Sequence, residues 1–388
     1  MRRGTVRRVR VWPALIVAAL FLSVCAGTVV AQGGEGGGEA GELLSVSGPH
    51  AVFTLLVGSL VLLASIELLI HALVRTAIRY RVSAFLLAVV FSGVEFDNVA
   101  FGVFTGFREL QNVAFGLAIG NAISIFGLTL AIGVLLVPFE IDVPREYLAM
   151  MVASPFVLLP FLLTGQFTFV NGVLLLALFV VAFAYIVRRE RAADRTFMRS
   201  TEVTEAATAA DGTGASAGAG DGPVASLRVA LDRRDWVWPA LLVVALVGVV
   251  LGAEGSSAGV EGIIETWELS GTFLGVTLIT VLLTLDDLLL IVEPLRLGHY
   301  EIAVGGVIGS LLFFVTANVG IVALVGTVHL SPSVLTVHFP VLVGMTLLSG
   351  YFLSRGRMTR ASGALLLGAY LLYLLVNALF LSGVPVGE

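Results

Sequence analysis

The chain has 388 residues, a net charge of −5, 58% hydrophobic residues and only 13% charged ones, and its mean hydropathy is +1.02. A water-soluble surface needs far more charge than this, so the composition excludes a string of soluble domains and points to a chain that lies in lipid. No basic stripe suits a nucleic acid, and the single cysteine, Cys25, excludes a disulfide framework or a cysteine-ligated metal.

The N-terminus carries Arg2, Arg3, Arg7, Arg8 and Arg10, an apolar stretch from Trp12 to Val24, and small residues up to Ala31. That layout is a secretory signal peptide over 1–31; the other reading is an uncleaved first membrane helix. Residues 32–49, rich in Gly and Glu, form an exposed linker. Apolar runs long enough to cross a ~30 Å hydrocarbon core then recur near 51–74, 83–106, 112–138, 147–163 and 167–187. A second set lies near 236–252 (extending in one reading to 266), 272–294, 302–328, 333–353 and 363–382. Between the sets, 189–235 is charged and rich in Ala, Gly, Ser and Thr, a composition that cannot bury enough apolar surface to fold alone.

Arginine placement sets an expected orientation in a cell membrane. With both mature termini outside, the inner loops hold Arg75, Arg79, Arg81, Arg145, the arginines flanking and within the cytoplasmic 189–235 linker, Arg296, Arg355, Arg357 and Arg360. The outer loops keep Arg108 and the acids Glu254, Glu261, Glu265 and Glu268. Five spans is an odd number, so the second set enters from the opposite side. The expected fold is all-α: ten transmembrane helices in two inverted five-helix repeats, 50–188 and 236–382. The sequence carries a trace of the duplication. Asn112–Asn121 parallels Glu301–Ser310, and Glu95–Asn98 parallels Thr284–Asp287, both at an offset of 189 positions.

Few ionisable residues lie deep in these spans: Glu67, Glu95, Asp97, Asp286, Asp287 and Glu293. A carboxylate at the bilayer centre costs about 2.5–3.5 kcal/mol on insertion scales, so its first reading is functional. Glu293, beside Pro294 and Arg296, reads instead as solvated near a helix end; Glu67 reads either way. Asp97 and Asp286 occupy equivalent places in the halves. With Glu95, Asn98, Thr284 and Asp287 they make two oxygen-rich clusters, which opposed would form a cage of hard ligands for Na⁺, Ca²⁺ or protons. Gly116 and Gly120, like Gly305 and Gly309, are small-xxx-small pairs that allow close helix packing. Each pair ends in a polar residue, Asn121 or Ser310, aimed at the expected site. The five histidines have no metal spacing and read as interfacial, and no nucleophile elbow or HExxH motif is present. The expectation is a non-enzymatic membrane protein with no resident cofactor, acting on inorganic cations.

These residues resemble the cation/calcium exchanger superfamily, which includes the sodium/calcium exchangers. The likeness runs over about 50–382 without the linker and is best in the second half: Gly271–Thr280, Thr284–Asp287, Gly298–Ser310, then Arg355–Leu367 with Tyr370 and Tyr373. The resemblance implies ten helices in two inverted halves and antiport of cations. Its Gly-Thr-Ser-Leu-Pro-Glu stretch falls on Gly93–Asn98 and Leu282–Asp287, so the ion-binding glutamate maps to Asn98 and Asp287, and the ligand serine to Glu95 and Thr284. Its second ligand pair maps to Asn121 and Ala122, and to Ser310 and Leu311. A shift by one residue would put the glutamates on Asp97 and Asp286 instead. Neither half keeps Pro-Glu, so the resemblance implies cation binding more strongly than calcium selectivity. The alternative is a transporter-like protein that binds cations as a sensor or for structure, without exchange.

Overall fold

The computed structural model describes residues 48–79, 95–193 and 237–381. The signal peptide, the 32–47 part of the first linker, residues 83–94 of the second expected span and nearly all of the 189–235 linker lie outside the described residues. Ten helical segments follow in order. They are α1 (Pro49–Arg79), α2 (Phe96–Phe107), α3 (Gln111–Leu136), α4 (Arg145–Leu162) and α5 (Phe169–Ala193). Then come α6 (Val237–Trp267), α7 (271–297), α8 (Tyr300–Val325), α9 (Val334–Ser354) and α10 (Arg360–Phe380). Among the described residues, eight helices are long and apolar enough to cross a membrane. The two that fall short among the described residues are α2 and α7. The described part of α2 has 12 residues, and α7 is interrupted chemically by Asp286, Asp287 and Glu293.

The helices sort into an inner and an outer set. In α3 and α8 the most apolar windows are 78% and 89% buried inside the protein, whereas in α5 and α10 only 17% and 28% are. Side chains such as Val180, Val181, Leu372 and Leu379 stay exposed on the outer pair, which suits a lipid-facing surface. The inner pair carries the core, with Phe115, Phe126, Phe313 and Phe314 fully enclosed.

Element boundaries repeat. Helices α3 and α8 begin at Gln111 and Tyr300, and α4 and α9 at Arg145 and Val334, each pair 189 positions apart. Two-residue strands punctuate the halves: β1 (Phe139–Glu140), β2 (Gln166–Phe167), β3 (Val328–His329) and β4 (Arg357–Met358). Strand β1 pairs antiparallel with β4, and β2 with β3. The pairing is therefore reciprocal. The strand after the third helix of each half joins the strand before the fifth helix of the other. Such cross-ties suit a two-fold relation between the halves, and each satisfies backbone groups where a helix chain breaks.

Helices α1 and α6 form a separate tight seam. A methyl group on Gly252 would lie 2.4 Å from the Leu62 backbone nitrogen, and one on Gly259 would lie 2.4 Å from that of Leu55. Only glycine lets the backbones approach so closely, which is how helices associate where the hydrophobic effect cannot drive them together. Ser59 and Ser256 meet at 3.2 Å inside this seam. Arg108, between α2 and α3, ties that connection to α6 by bonds to Glu254, at 2.5 Å, and to Glu261. Burial acts to lower the Arg108 pKa, but the two carboxylates outweigh it and hold the guanidinium above its ordinary range.

Candidate cation site

Helix α2 starts at Phe96, and Glu95 precedes it in extended backbone (φ −84°, ψ 93°). Acidic groups at a helix start lie at the positive end of the peptide dipoles, which favours Glu95 and Asp97 there. Helix α7 passes opposite. A π-helical stretch, Gly275–Ile279, precedes its acidic turn, and such stretches often mark functional positions. The glycines of α3 pack directly on it: a methyl on Gly116 would lie 2.7 Å from Thr272 O, and one on Gly120 would lie 2.1 Å from Thr280 Oγ1. The first glycine pair thus serves close packing, and that packing brings Asn121 against α7.

Two hydrogen bonds between the halves follow. Ser310 on α8 donates to Glu95 Oε1, and Thr284 on α7 donates to Asn121 Oδ1 at 3.4 Å. The bonds are equivalent under the 189-residue offset. Glu95 pairs with Thr284 in that offset, and Ser310 with Asn121. Around them the set closes. Asn121 Nδ2 donates to Asn98 Oδ1 at 2.5 Å, and Asn98 Nδ2 lies 3.3 Å from Asp97 Oδ1. The Ser124 and Thr284 hydroxyls meet at 3.0 Å, and the Glu95 carboxyl also bonds to Asp287. Asp97, Asn98, Asn121, Ser124, Thr284, Asp287 and Ser310 are all buried, with Glu95 half-exposed.

Seven of the eight expected ligands therefore fall into two bonded groups drawn from α2, α3, α7 and α8: Glu95 with Ser310 and Asp287, and Asp97, Asn98, Asn121 and Thr284. The side chain of the eighth, Asp286, lies outside the described residues. Among the described side chains the bonds include Glu95 and Asn98 in the first half and Thr284 and Asp287 on α7. Asp97 is attached through Asn98. Ser124 belongs to the network but not to the expected set, because its counterpart at the repeat offset is Phe313 and no repeated polarity marks it. Glu67 is exposed and Glu293 half-buried, both apart from the cluster's hydrogen bonds described above.

The histidine reading needs correction at one position. His299 and His329 are exposed, as interfacial residues should be, but His338 is 1% exposed and its Nδ1 lies 2.8 Å from the Tyr373 hydroxyl. The π-helical turn Val334–His338 carries the ring inward to a partner on α10. Burial without that partner would cost a desolvated ring nitrogen.

Among the described residues no group of three His, Cys, Asp or Glu side chains is disposed to hold a metal ion. The donors at the cluster are a mixture of carboxylates, carboxamides and hydroxyls. These are hard ligands, suited to a cation of the Na⁺ or Ca²⁺ kind rather than to zinc or copper.

Known proteins are similar to this chain in sequence and in fold. Residues 237–379 match the family described as sodium/calcium exchanger protein. The putative antiporter CaxA of Alkalimonas amylolytica is 27% identical over 135 residues, covering 35% of this chain and 42% of that protein. The family match thus covers the second half of the chain, residues 237–379. The fold agrees. The crystal structure of the H⁺/Ca²⁺ exchanger CAX superposes with a TM-score of 0.63 at 12% identity, over 95% of this chain and 92% of that one. A structure of the sodium–calcium exchanger NCX_Mj covers 86% of this chain and 99% of its own at TM-score 0.50 and 19% identity. The chain has an amide, Asn98, where the resemblance implies a glutamate.

Proposed function

We propose that the protein is a secondary antiporter that exchanges a metal cation for Na⁺ or H⁺ by alternating access around the buried network. The single observation that carries this reading is the joining of Glu95, Asn98 and Asn121 from one half to Thr284, Asp287 and Ser310 from the other. Ligands drawn from both halves allow a movement of one half against the other to open the site to either face. Buried carboxylates need a cation or a proton to offset their charge, so cargo and counter-ion compete for one cage. The reciprocal strand pairing and the 189-residue offset support ten helices in two inverted repeats. The arginine distribution supports both termini outside and 189–235 in the cytoplasm. The membrane potential would drive an exchange of unequal charge with about 2.3 kcal/mol per charge per 100 mV. Because amide replaces acid at Asn98, the cage favours a cation without committing to calcium.

The test is flux in proteoliposomes. ²²Na⁺ or ⁴⁵Ca²⁺ should accumulate against an imposed Na⁺, K⁺, Ca²⁺, Mg²⁺ or pH gradient, and one pairing should support uptake that collapses with the gradient. Cation-dependent thermal stabilisation without flux under every gradient would overturn the antiporter and leave a cation-binding sensor.

A further inference from the structure

Thr129 on α3 and Asn318 on α8 are 189 positions apart, and each lies in a π-helical stretch, Ile125–Leu130 and Phe313–Asn318. Thr129 is 0% exposed and Asn318 1%. Neither the Thr129 hydroxyl nor either polar atom of the Asn318 carboxamide has a hydrogen-bond partner among the described residues. A helical threonine ordinarily returns its hydroxyl to a carbonyl one turn back, as Thr316 does to Leu312. Thr129 does not. Buried polar groups are nearly always satisfied, so an orphan calls for an explanation, and a matched pair of orphans at symmetric positions calls for a functional one.

Their placement supplies it. Helices α2 and α8 run side by side in the same direction. Ser310 meets Glu95, a methyl on Gly102 would lie 3.7 Å from Asn318 Oδ1, and one on Gly106 would lie 2.6 Å from Val325. This seam leads from the cluster to the end of α2 at Arg108. Asn318 stands on it eight residues past Ser310, about 12 Å along the helix. Helices α7 and α3 make the equivalent seam. Thr284 meets Asn121, and a methyl on Gly133 would lie 3.6 Å from Ile291 and 2.7 Å from Leu295. Thr129 stands one turn before Gly133 and eight residues past Asn121. Helix α3 starts beside Arg108 whereas α8 ends there, so the two orphans flank the cluster on opposite sides.

We propose that Asn318 and Thr129 are cation way-stations, one on each approach to the central cage, whose free oxygens replace part of the hydration shell of an ion in transit. The inference rests on the antiporter reading. A carboxamide and a hydroxyl are neutral oxygen donors, strong enough to hold a cation briefly and too weak to trap it. The pairing of one neutral station with each side gives each face its own entry affinity, separate from that of the shared cage.

The experiment measures the half-saturating ²²Na⁺ and ⁴⁵Ca²⁺ concentrations at each face separately, in proteoliposomes sorted by the accessibility of a C-terminal tag. Asn318→Leu should raise the value by roughly three- to tenfold at the face bearing Arg108 and leave the other unchanged, the effect of one lost polar contact. Thr129→Val should do the same at the opposite face only. Asn318→Ser, smaller and still an oxygen donor, keeps the test open if the leucine variant fails to fold, and should fall between. Unchanged values at both faces, or equal changes at both, would overturn the way-stations while normal exchange upholds the antiporter. No exchange in the unsubstituted protein would overturn both.

Discussion

The seam between α2 and α8 and the seam between α7 and α3 are the same construction in two chemistries. Each places two helices in parallel, each closes with a side-chain bond at the cage between residues matched by the 189-residue offset, and each has an orphan polar group eight residues beyond. At the cage, however, the first seam offers a carboxylate bonded to a serine, and the second a threonine bonded to a carboxamide. The acid of the second seam is displaced one turn along α7, to Asp287, where it meets Glu95. The geometry repeats at the 189-residue offset whereas the charge does not. A cage built this way need not treat its two approaches alike, since the side with the carboxylates attracts a cation more strongly.

Removing the charge from the acidic seam should have the largest effect. Glu95→Gln keeps the shape and one acceptor oxygen but takes a negative ligand from the cage. Ligand charge count sets the affinity of oxygen sites over orders of magnitude, so exchange should fall on the order of a hundredfold at low cation concentration. Initial-rate flux against cation concentration checks it. Its counterpart in the neutral seam, Thr284→Val, should cost only several-fold by the same assay, the worth of a neutral donor. Equal losses would show that the two seams contribute alike and would break the comparison.

Much of this site was legible in the sequence, because lipid makes chemistry rare and therefore visible. Glu95, Asp97, Asp287 and their repeat partners stood out against apolar neighbours, and Asn121 and Ser310 were marked by the glycine pairs before them. The arginine distribution and span lengths laid out the helices. Other features left no such trace. The start of α2 at Phe96 depends on the extended conformation of Glu95, which no proline or glycine at that position announces. Strands of two residues are too short for a period, and their pairing joins segments about 160 to 220 positions apart, beyond any local signal. Ser124 was missed because its repeat counterpart is apolar, and His338 because a π-helical turn, not a regular helix, decides which way its ring points.

The neutral seam can be probed further at Asn121. Its carboxamide donates to Asn98 and accepts from Thr284, so Asn121→Ala would strand the buried Asn98 oxygen and leave Thr284 only its contact with Ser124. Leaving a buried donor or acceptor unmade costs about 1–3 kcal/mol. Thermal unfolding in detergent should show a lowered Tm, and exchange should weaken by about tenfold, the equivalent of 1.4 kcal/mol. A stability loss without any change in half-saturating cation concentration would mark Asn121 as scaffold rather than ligand.

The smallest effect should come from Ser124, the residue that joins the network without a repeat partner. Its hydroxyl has two neighbours, Thr284 Oγ1 at 3.0 Å and the Asn121 carbonyl at 3.1 Å. Thr284 keeps Asn121 Oδ1 as a second partner, so Ser124→Ala removes one of its two contacts and strands no charge. A neutral hydrogen bond contributes about 0.5–1.5 kcal/mol, which corresponds to a few-fold rise in half-saturating concentration with the maximal rate retained. The value of this variant is in its ratio to Thr284→Val. If Ser124 acts on the ion only by orienting the threonine, the double variant should be no weaker than Thr284→Val alone, because residues in one network are not additive. Multiplied losses would instead make Ser124 a ligand in its own right. The neutral seam would then supply a third hydroxyl or amide donor that the acidic seam has no counterpart for.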